Sequence, residues 1–312
     1  MWNSHDYICR KGVDIMKNQY VGDIGDYGKY SLLRAFAEEG VIIGVNWYLT
    51  PDDGSNDGRF TDYLYKEDLR YLCPEVFDAL HGIIKKKKKT VRDVSKSGII
   101  RNALFFDKMI NVSGNPAERK ENRKKWFIES MDALSDTELV FMDPDNGLLE
   151  SNDASKQVAD KYVLPDEVKE VYESGKNVVY YCHKGRRKID AWYDYKSFMF
   201  ERIPSAKSAV LTYHKGTQRS YIFLIHDDSF VRYRRIIEGF MRKWYRVFSE
   251  ETTIMGNPAD ETVGEQLSFE KSDGSVIAIS RRADSRIQIC NSKIPGDSMI
   301  LDADVFARLL GV

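Results

Sequence analysis

The sequence is poor in cysteine and contains no long apolar run. Its four cysteines stand far apart and form no Cys-x-x-Cys pair, which argues against a zinc site or a disulfide framework. No stretch approaches the roughly 18 consecutive apolar residues of a membrane span, and the N-terminal residues contain no apolar signal core. We therefore expect a cytoplasmic protein that does not enter a membrane.

Neither sign of charge is in excess. Lys and Arg total 47 and Asp and Glu total 48, which leaves a formal net charge of −1. This balance excludes an indiscriminate polycation, but it leaves room for a local basic groove. Apolar residues make up 42% of the 312 residues and aromatic residues 12%, enough for a sizeable core in one large domain, with or without a small one.

Strand and helix patterns alternate along the chain and end in two strands in close succession. Predicted strands lie at 41–49, at 103–110, directly before Asp143, and at 177–185, 208–216 and 219–228. Helical patterns follow the opening glycines and fill 61–84, 115–134, 165–175, 190–203 and 230–248. This order predicts an α/β fold with a Rossmann-like mixed sheet and a C-terminal antiparallel hairpin.

Composition changes after Phe248. A polar, turn-rich segment leads into short strand patterns, with an Asp-Gly hairpin signal at 273–274. We predict three parts: an N-terminal extension at 1–17, a Rossmann-like α/β domain at 18–250 and a small β-rich module at 255–312. The module is a candidate surface for a protein partner or for self-association.

The strongest candidate site is the Asp-Pro-Asp-Asn-Gly turn at 143–147, directly after an apolar strand. Open α/β sheets bind ligands beyond the carboxyl ends of their strands. Asp143 can accept hydrogen bonds from a substrate amino group, and Asp145 can share a divalent metal ion with it. A plain strand-terminating turn is the alternative, because all these residue types are common in turns.

His183 and Lys184 follow the next predicted strand, which places them at the same edge of the sheet. His183 is a candidate general base or metal ligand, with a purely structural role as an equal alternative. Lys184 or Arg186 can neutralise a phosphate. The His-Lys-Gly sequence recurs at His214, where we favour a structural role.

The opening segment "GDIGDYGKY" at 22–30 matches neither nucleotide fingerprint. No strand precedes it, and Lys29 is followed by Tyr30 where a P-loop requires Ser or Thr. Asp23 and Asp26 suit helix capping or a metal ion better than a phosphate. The five lysines at 85–89 favour a solvated loop over a nucleic-acid contact.

Taken in order, these segments resemble the Rossmann-like S-adenosylmethionine-dependent methyltransferases, and among them the bacterial 23S rRNA adenine-N6 methyltransferase family. The likeness spans about residues 18–228. It rests on the Gly-rich Asp-x-x-Lys entry to the first helix, on the loop "TPDDGSNDGRF", and on "FMDPDNG" where the family has an Asp-Pro-Pro-Tyr-type turn. The resemblance implies adenine N6-methyl transfer, with S-adenosylmethionine as cofactor and nucleic acid as partner.

The resemblance also implies roles for single residues. The cofactor would contact Lys29, Tyr30, Asp52 and Gly54. Asp143 would orient the target amine. The chain departs from the family pattern at Asp145 and Asn146, which replace a proline and the aromatic residue that stacks on the flipped base.

Three functions stay open at this stage. The first is an adenine-type methyltransferase, in which the helix at 230–248 and the lysines at 85–89 touch phosphates. The second is a metal-dependent nuclease or phosphodiesterase, with Mg²⁺ or Mn²⁺ held by Asp143 and Asp145 and, in addition, by Asp23, Asp26 and His183. The third is a non-catalytic binding scaffold.

Overall fold

The computed structural model describes residues 20–50, 60–111, 113–185 and 187–251, together with four strands between 267 and 301. The helices of this part are α1 (Ile24–Glu38), α2 (Pro74–Ile84), α3 (Val91–Lys96), α4 (Pro116–Ala133), α5 (Pro165–Glu173), α6 (Ile189–Arg202) and α7 (Asp227–Trp244). None of these helices, within the described residues, combines the length and the apolar character that a membrane crossing requires.

The strands in the first half of the described chain are β1 (Ile43–Asn46), β2 (Leu104–Phe106), β3 (Leu139–Met142), β4 (Gly147–Leu148) and β5 (Tyr162–Val163). They are followed by β6 (Asn177–His183), β7 (Lys207–Tyr213), β8 (Arg219–Ile225) and β9 (Phe248–Glu251). The last four are β10 (Leu267–Glu270), β11 (Val276–Arg281), β12 (Ile287–Asn291) and β13 (Ser298–Leu301).

Seven strands form one mixed sheet in the order β2-β1-β3-β6-β8-β7-β9. The first four of these run parallel, so their carboxyl ends meet at one edge. β8 lies between β6 and β7 and is antiparallel to both, and β9 is antiparallel to β7. The predicted Rossmann-like mixed sheet with its antiparallel hairpin is confirmed.

Helices cover both faces of this sheet. α1, α2, α3 and α7 pack with Phe141, Val179 and Phe223 on one face. On the other face, α4, α5 and α6 pack with Val140 and Val178. β3 and β6 are therefore apolar on both sides, which is typical of parallel strands in the middle of a sheet.

Several predicted elements differ in extent from the structure, and the strand predicted at 41–49 pairs only over Ile43–Asn46. The strand expected at 103–110 has only three residues, although an isolated parallel bridge joins Leu49 and Met109 beyond its end. The helical pattern at 61–84 contains two short 3₁₀ turns, at Asp62–Tyr65 and Arg70–Leu72, before α2 begins. Pro74 starts α2 because its missing N–H and fixed φ suit the first helical position.

β10 to β13 form a separate antiparallel sheet in sequential order. The β-rich character predicted for the C-terminal module is thereby confirmed. Its limits at 255–312 stay a prediction, and the extension at 1–17 lies outside the described residues.

Candidate functional site

A cavity of about 300 Å³ lies at the carboxyl edge of the parallel strands. The first turn of α1, the ends of β1, β3 and β6 and the beginning of β8 enclose it. Its charged lining residues are Asp23, Asp26, Lys29, Asp143, Asp145 and Arg219. Its aromatic walls include Tyr30, Trp47, Phe60, Tyr181 and Tyr221. The opening motif and the acidic turn, remote in sequence, thus share one cavity.

Lys29 connects the opening motif to the acidic turn. Its Nζ lies 2.7 Å from Asp143 Oδ2 and 2.7 Å from Asp26 Oδ1. Burial by itself lowers the pKa of Lys29, but the Asp143 and Asp26 carboxylates raise that pKa well above its usual value. Burial raises the pKa of Asp143, and the nearby Lys29 ammonium opposes this shift. Lys29 is therefore a permanent cation at neutral pH.

The backbone holds Asp143 in place directly after β3. Its N–H donates to the Asn46 carbonyl at 2.9 Å, which extends the pairing of β3 with β1 by one residue. Thr50 Oγ1 donates to Asp145 Oδ2 at 3.2 Å. Gly147 has φ +104°, and a Cβ there would lie 2.6 Å from Tyr195 Oη. The segment bends the chain between β3 and β4, and it also presents both carboxylates to the cavity.

Asp23 caps the first turn of α1, as its residue type predicted. Its Oδ1 accepts from the Gly25 N–H at 2.8 Å and from Arg219 Nη2 at 2.8 Å. Burial raises the pKa of Asp23, and the Arg219 guanidinium opposes the shift. The Asp26 carboxylate accepts from the Gly22 N–H at 3.0 Å, which closes the turn before the helix. Both carboxylates thus have protein partners.

The glycines of the opening motif let other parts of the chain approach α1. A Cβ on Gly25 would lie 2.4 Å from Arg219 Cζ, and a Cβ on Gly28 would lie 2.9 Å from the Tyr213 ring. Gly22 has φ +85°, a conformation that glycine adopts without strain. Their spacing of three places Gly25 and Gly28 on one helix face, against the β7–β8 hairpin. Close packing therefore explains the glycine pattern.

His183 ends β6 and lines the cavity. Burial lowers its pKa, and the positive charges of Arg187 and Arg219 lower it further, so the imidazole is neutral at neutral pH. Lys184 is half-buried and does not line the cavity, and Arg186 lies outside the described residues. His214 is exposed, with Nε2 2.8 Å from Ser249 Oγ, away from the cavity.

The predicted cofactor contacts are described in part. Tyr30 lines the cavity and its hydroxyl accepts from Trp47 Nε1 at 3.3 Å. Asp52 and Gly54 fall at 51–59, outside the described residues. Just before that segment, Tyr48 has φ +33°. This angle strains the backbone of a bulky residue, and such strain is often found at binding sites.

No protein-family model matches the chain, and no curated protein matches it. The chemistry of the cavity is therefore the basis for assigning a function.

All four carboxylates predicted as metal ligands line the cavity: Asp23, Asp26, Asp143 and Asp145. Lys29 and Arg219 pair with three of them. Across the described ranges, no three or more His, Cys, Asp or Glu side chains are grouped so that they could hold a metal ion. These carboxylates are therefore better explained as partners in ion pairs within the protein than as ligands of a metal ion.

The cavity carries more negative than positive formal charge. Among the described residues, four aspartates and two cations line it, and its histidine is neutral. Such a lining repels polyphosphates and attracts cationic ligands. The aromatic walls add surfaces on which a flat ring or a positively charged group can pack. The arrangement suits a small aromatic ligand that carries positive charge.

Proposed function

We propose that this protein is an S-adenosylmethionine-dependent methyltransferase that acts on an amino nitrogen of a nucleic-acid base, of the adenine-N6 type, in the cytoplasm. The observation that carries the proposal is the position of Asp143. It follows a central parallel strand, is anchored by Lys29 at 2.7 Å, and faces an aromatic cavity with an excess of negative charge.

The cavity suits this methyl donor in charge and in the aromatic character of its walls. The donor carries a sulfonium, an ammonium and one carboxylate, beside a flat adenine ring. The excess of aspartates over cations in the described lining complements the net positive charge of the donor, and the aromatic walls favour a sulfonium through cation–π contact. The volume of about 300 Å³ falls at the lower end of small-molecule sites. When bound, the donor supplies a methyl group that its sulfur readily releases.

The residues of the chain would prepare the accepting nitrogen. The Asp143 carboxylate accepts a hydrogen bond from the exocyclic amine and turns the nitrogen lone pair towards the methyl group. Lys29 keeps the Asp143 carboxylate in one orientation. The new N–C bond leaves a surplus proton on the nitrogen, and the neutral His183 imidazole on the same wall can accept it.

A basic surface close to the cavity supports a nucleic-acid substrate. The lysines at 85–88 are exposed, and the next one, Lys89, donates from Nζ to the carbonyl of Val21 at 2.6 Å. Val21 lines the cavity, so the run of lysines begins at the cavity rim. Phosphates of a bound nucleic acid would contact this run.

The second predicted phosphate contact, the helix at 230–248, receives less support. In the structure α7 buries its apolar side against α1, with Tyr233, Ile237 and Phe240 in the core. Arg232 on its outer side is paired with Glu138, and Arg234 is paired with Glu250. These pairs remove two cations of α7 from contact with phosphates, whereas Arg235, Arg242 and Lys243 of the same helix stay exposed.

Calorimetry and a transfer assay test the proposal. Wild-type protein, Asp143→Asn and the control Asp132→Asn are titrated with S-adenosylmethionine and S-adenosylhomocysteine. They are then incubated with tritiated donor and mixed-sequence RNA or DNA. Asp132 is exposed on α4, so Asp132→Asn removes one negative charge as Asp143→Asn does, but on the protein surface. We expect Asp143→Asn to lose about 100-fold or more in transfer rate, and Asp132→Asn to match wild type.

Two outcomes contradict the proposal. Folded wild-type protein that binds neither the donor nor its product has no methyltransferase site. Cleavage of nucleic acid in Mg²⁺ or Mn²⁺ by wild type, but not by Asp143→Asn, would establish the nuclease alternative instead. Protein that binds nucleic acid but neither methylates nor cleaves it would favour the non-catalytic binding scaffold.

A further inference from the structure

Two neighbouring antiparallel strands present a polar patch to the cavity. The register of β6 and β8 pairs His183 with Arg219 and Tyr181 with Tyr221. Because alternate residues of a strand face the same side, all four side chains lie on the α1 side of the sheet. All four line the cavity. These four residues lie on β6 and β8, whereas Asp143 follows β3.

Two atoms of this patch have no hydrogen-bond partner. His183 Nδ1 and Tyr221 Oη are both buried, and neither finds a partner within the described part of the chain. Only 1% of Tyr221 is exposed. A buried polar atom without a partner costs free energy, so each such atom in a native protein calls for an explanation.

Arg219 is fixed in place beside them. Its Nη2 donates to Asp23 Oδ1 at 2.8 Å, and its Nη1 donates to the carbonyls of Lys215 and Thr217 at 3.3 and 3.1 Å. Gly25 allows the guanidinium to lie directly against α1. Arg219 is therefore held rigidly beside the patch, and its N–H groups already donate to other acceptors. Within the described residues, the missing partners are left to a ligand in the cavity.

We propose that His183 and Tyr221 form a base-reading subsite, which binds a nitrogen heterocycle through an exocyclic amine next to a ring nitrogen. The Tyr221 hydroxyl donates to the ring nitrogen, and the neutral imidazole of His183 accepts from the amine. This pairing of donor and acceptor matches the edge of adenine or cytosine. The subsite rests on the proposed function, because the amine that it binds is the methyl acceptor.

The test uses adenosine and purine riboside, which lacks the amine, as NMR titration probes. Each is titrated with and without saturating S-adenosylhomocysteine. The variants are Tyr221→Phe and His183→Phe. The control is Tyr180→Phe, because Tyr180 also has a buried hydroxyl without a partner among the described residues, but lies on the opposite face of the sheet, outside the cavity. Thermal denaturation verifies that each variant is folded.

We expect Tyr221→Phe and His183→Phe each to weaken adenosine binding about five-fold or more, and Tyr180→Phe to leave it unchanged. Wild type should prefer adenosine to purine riboside, and His183→Phe should reduce this preference to the part that Asp143 supplies. The subsite is overturned if Tyr221→Phe and Tyr180→Phe bind adenosine equally, or if wild type binds no adenosine. Adenosine discrimination without donor binding would refute methyl transfer alone, and donor binding without discrimination would refute the subsite alone.

Discussion

Two buried ion networks lie on opposite faces of the same sheet, and they differ in the size of the cavity beside them. On the α4 face, Arg123 donates to both oxygens of Glu167, at 2.6 and 2.9 Å, and to the Tyr162 carbonyl at 2.7 Å. Glu167 in turn accepts from the Leu164 N–H at 3.0 Å and from the Tyr48 hydroxyl at 3.1 Å. The cavity that Arg123 and Asp160 line beside it measures only about 10 Å³.

On the α1 face, Lys29 and Asp143 border the large cavity, and two atoms of the same wall lack partners. A network without room beside it positions structural elements, whereas unpartnered atoms on the wall of a large cavity have hydrogen-bonding capacity left for a ligand. The comparison separates a stabilising network from a binding site, although both contain buried ion pairs. Substitutions in the first should change stability, and substitutions in the second should change binding.

The largest effect on stability should come from Arg123→Met. It leaves the Glu167 carboxylate buried without its cation, so we expect the free energy of unfolding to fall by about 3–5 kcal/mol. Urea denaturation measures this loss. The control Lys125→Met changes an exposed lysine of the same helix and should stay within about 0.5 kcal/mol of wild type. Equal stability of the two variants would contradict the assignment.

Lys29→Met should cost less, about 3 kcal/mol at neutral pH, because the cavity beside it can admit water. The loss should depend on pH. Without Lys29, burial raises the pKa of Asp143 unopposed. A carboxylate with a raised pKa in the folded state destabilises that state as pH rises through this pKa. The difference from wild type in unfolding free energy should therefore be larger at pH 7 than at pH 4.5, and a constant difference would speak against the pair.

Gly25→Ala should have the smallest effect on stability, about 1–3 kcal/mol, together with a loss of donor binding. The new Cβ would lie 2.4 Å from Arg219 Cζ and would displace the wall of the cavity. The control is Gly82→Ala in α2, where a Cβ meets no atom of the described chain within 4 Å. This control should be neutral or more stable by up to about 1 kcal/mol. Unchanged donor binding in Gly25→Ala would place the ligand elsewhere.

Much of the site was predictable from strand ends. Asp143, Asp145 and His183 were found because each follows or ends a strand whose carboxyl end meets the cavity. Arg219 and Tyr221 were missed for the same reason. β8 runs antiparallel to β6, so its amino end lies at that edge of the sheet. A prediction based on the carboxyl ends of strands therefore does not include its residues. The glycines at spacing three were a usable signal of close packing, but they did not reveal what packs there.

The extent of single elements was less predictable. The pattern at 103–110 indicated a full strand, yet only Leu104–Phe106 pairs with β1, at the edge of the sheet. An edge strand has only one neighbouring strand, so the apolar pattern of its sequence predicts its length poorly. Central strands such as β3 and β6 were recognisable because they are apolar on both faces.

The order of helices and strands, the cap at Asp23 and the acidic segment after β3 can all be recognised in the amino-acid sequence. Apolar periodicity, capping and turn residues act between close neighbours in the chain, so they can be recognised without a fold. Only the tertiary structure decided which charges meet. Lys29 and Asp143 are 114 residues apart, and Asp23 and Arg219 are 196 apart. Such pairs form only when the strands take their order in the sheet, because that order alone brings their ends to one edge.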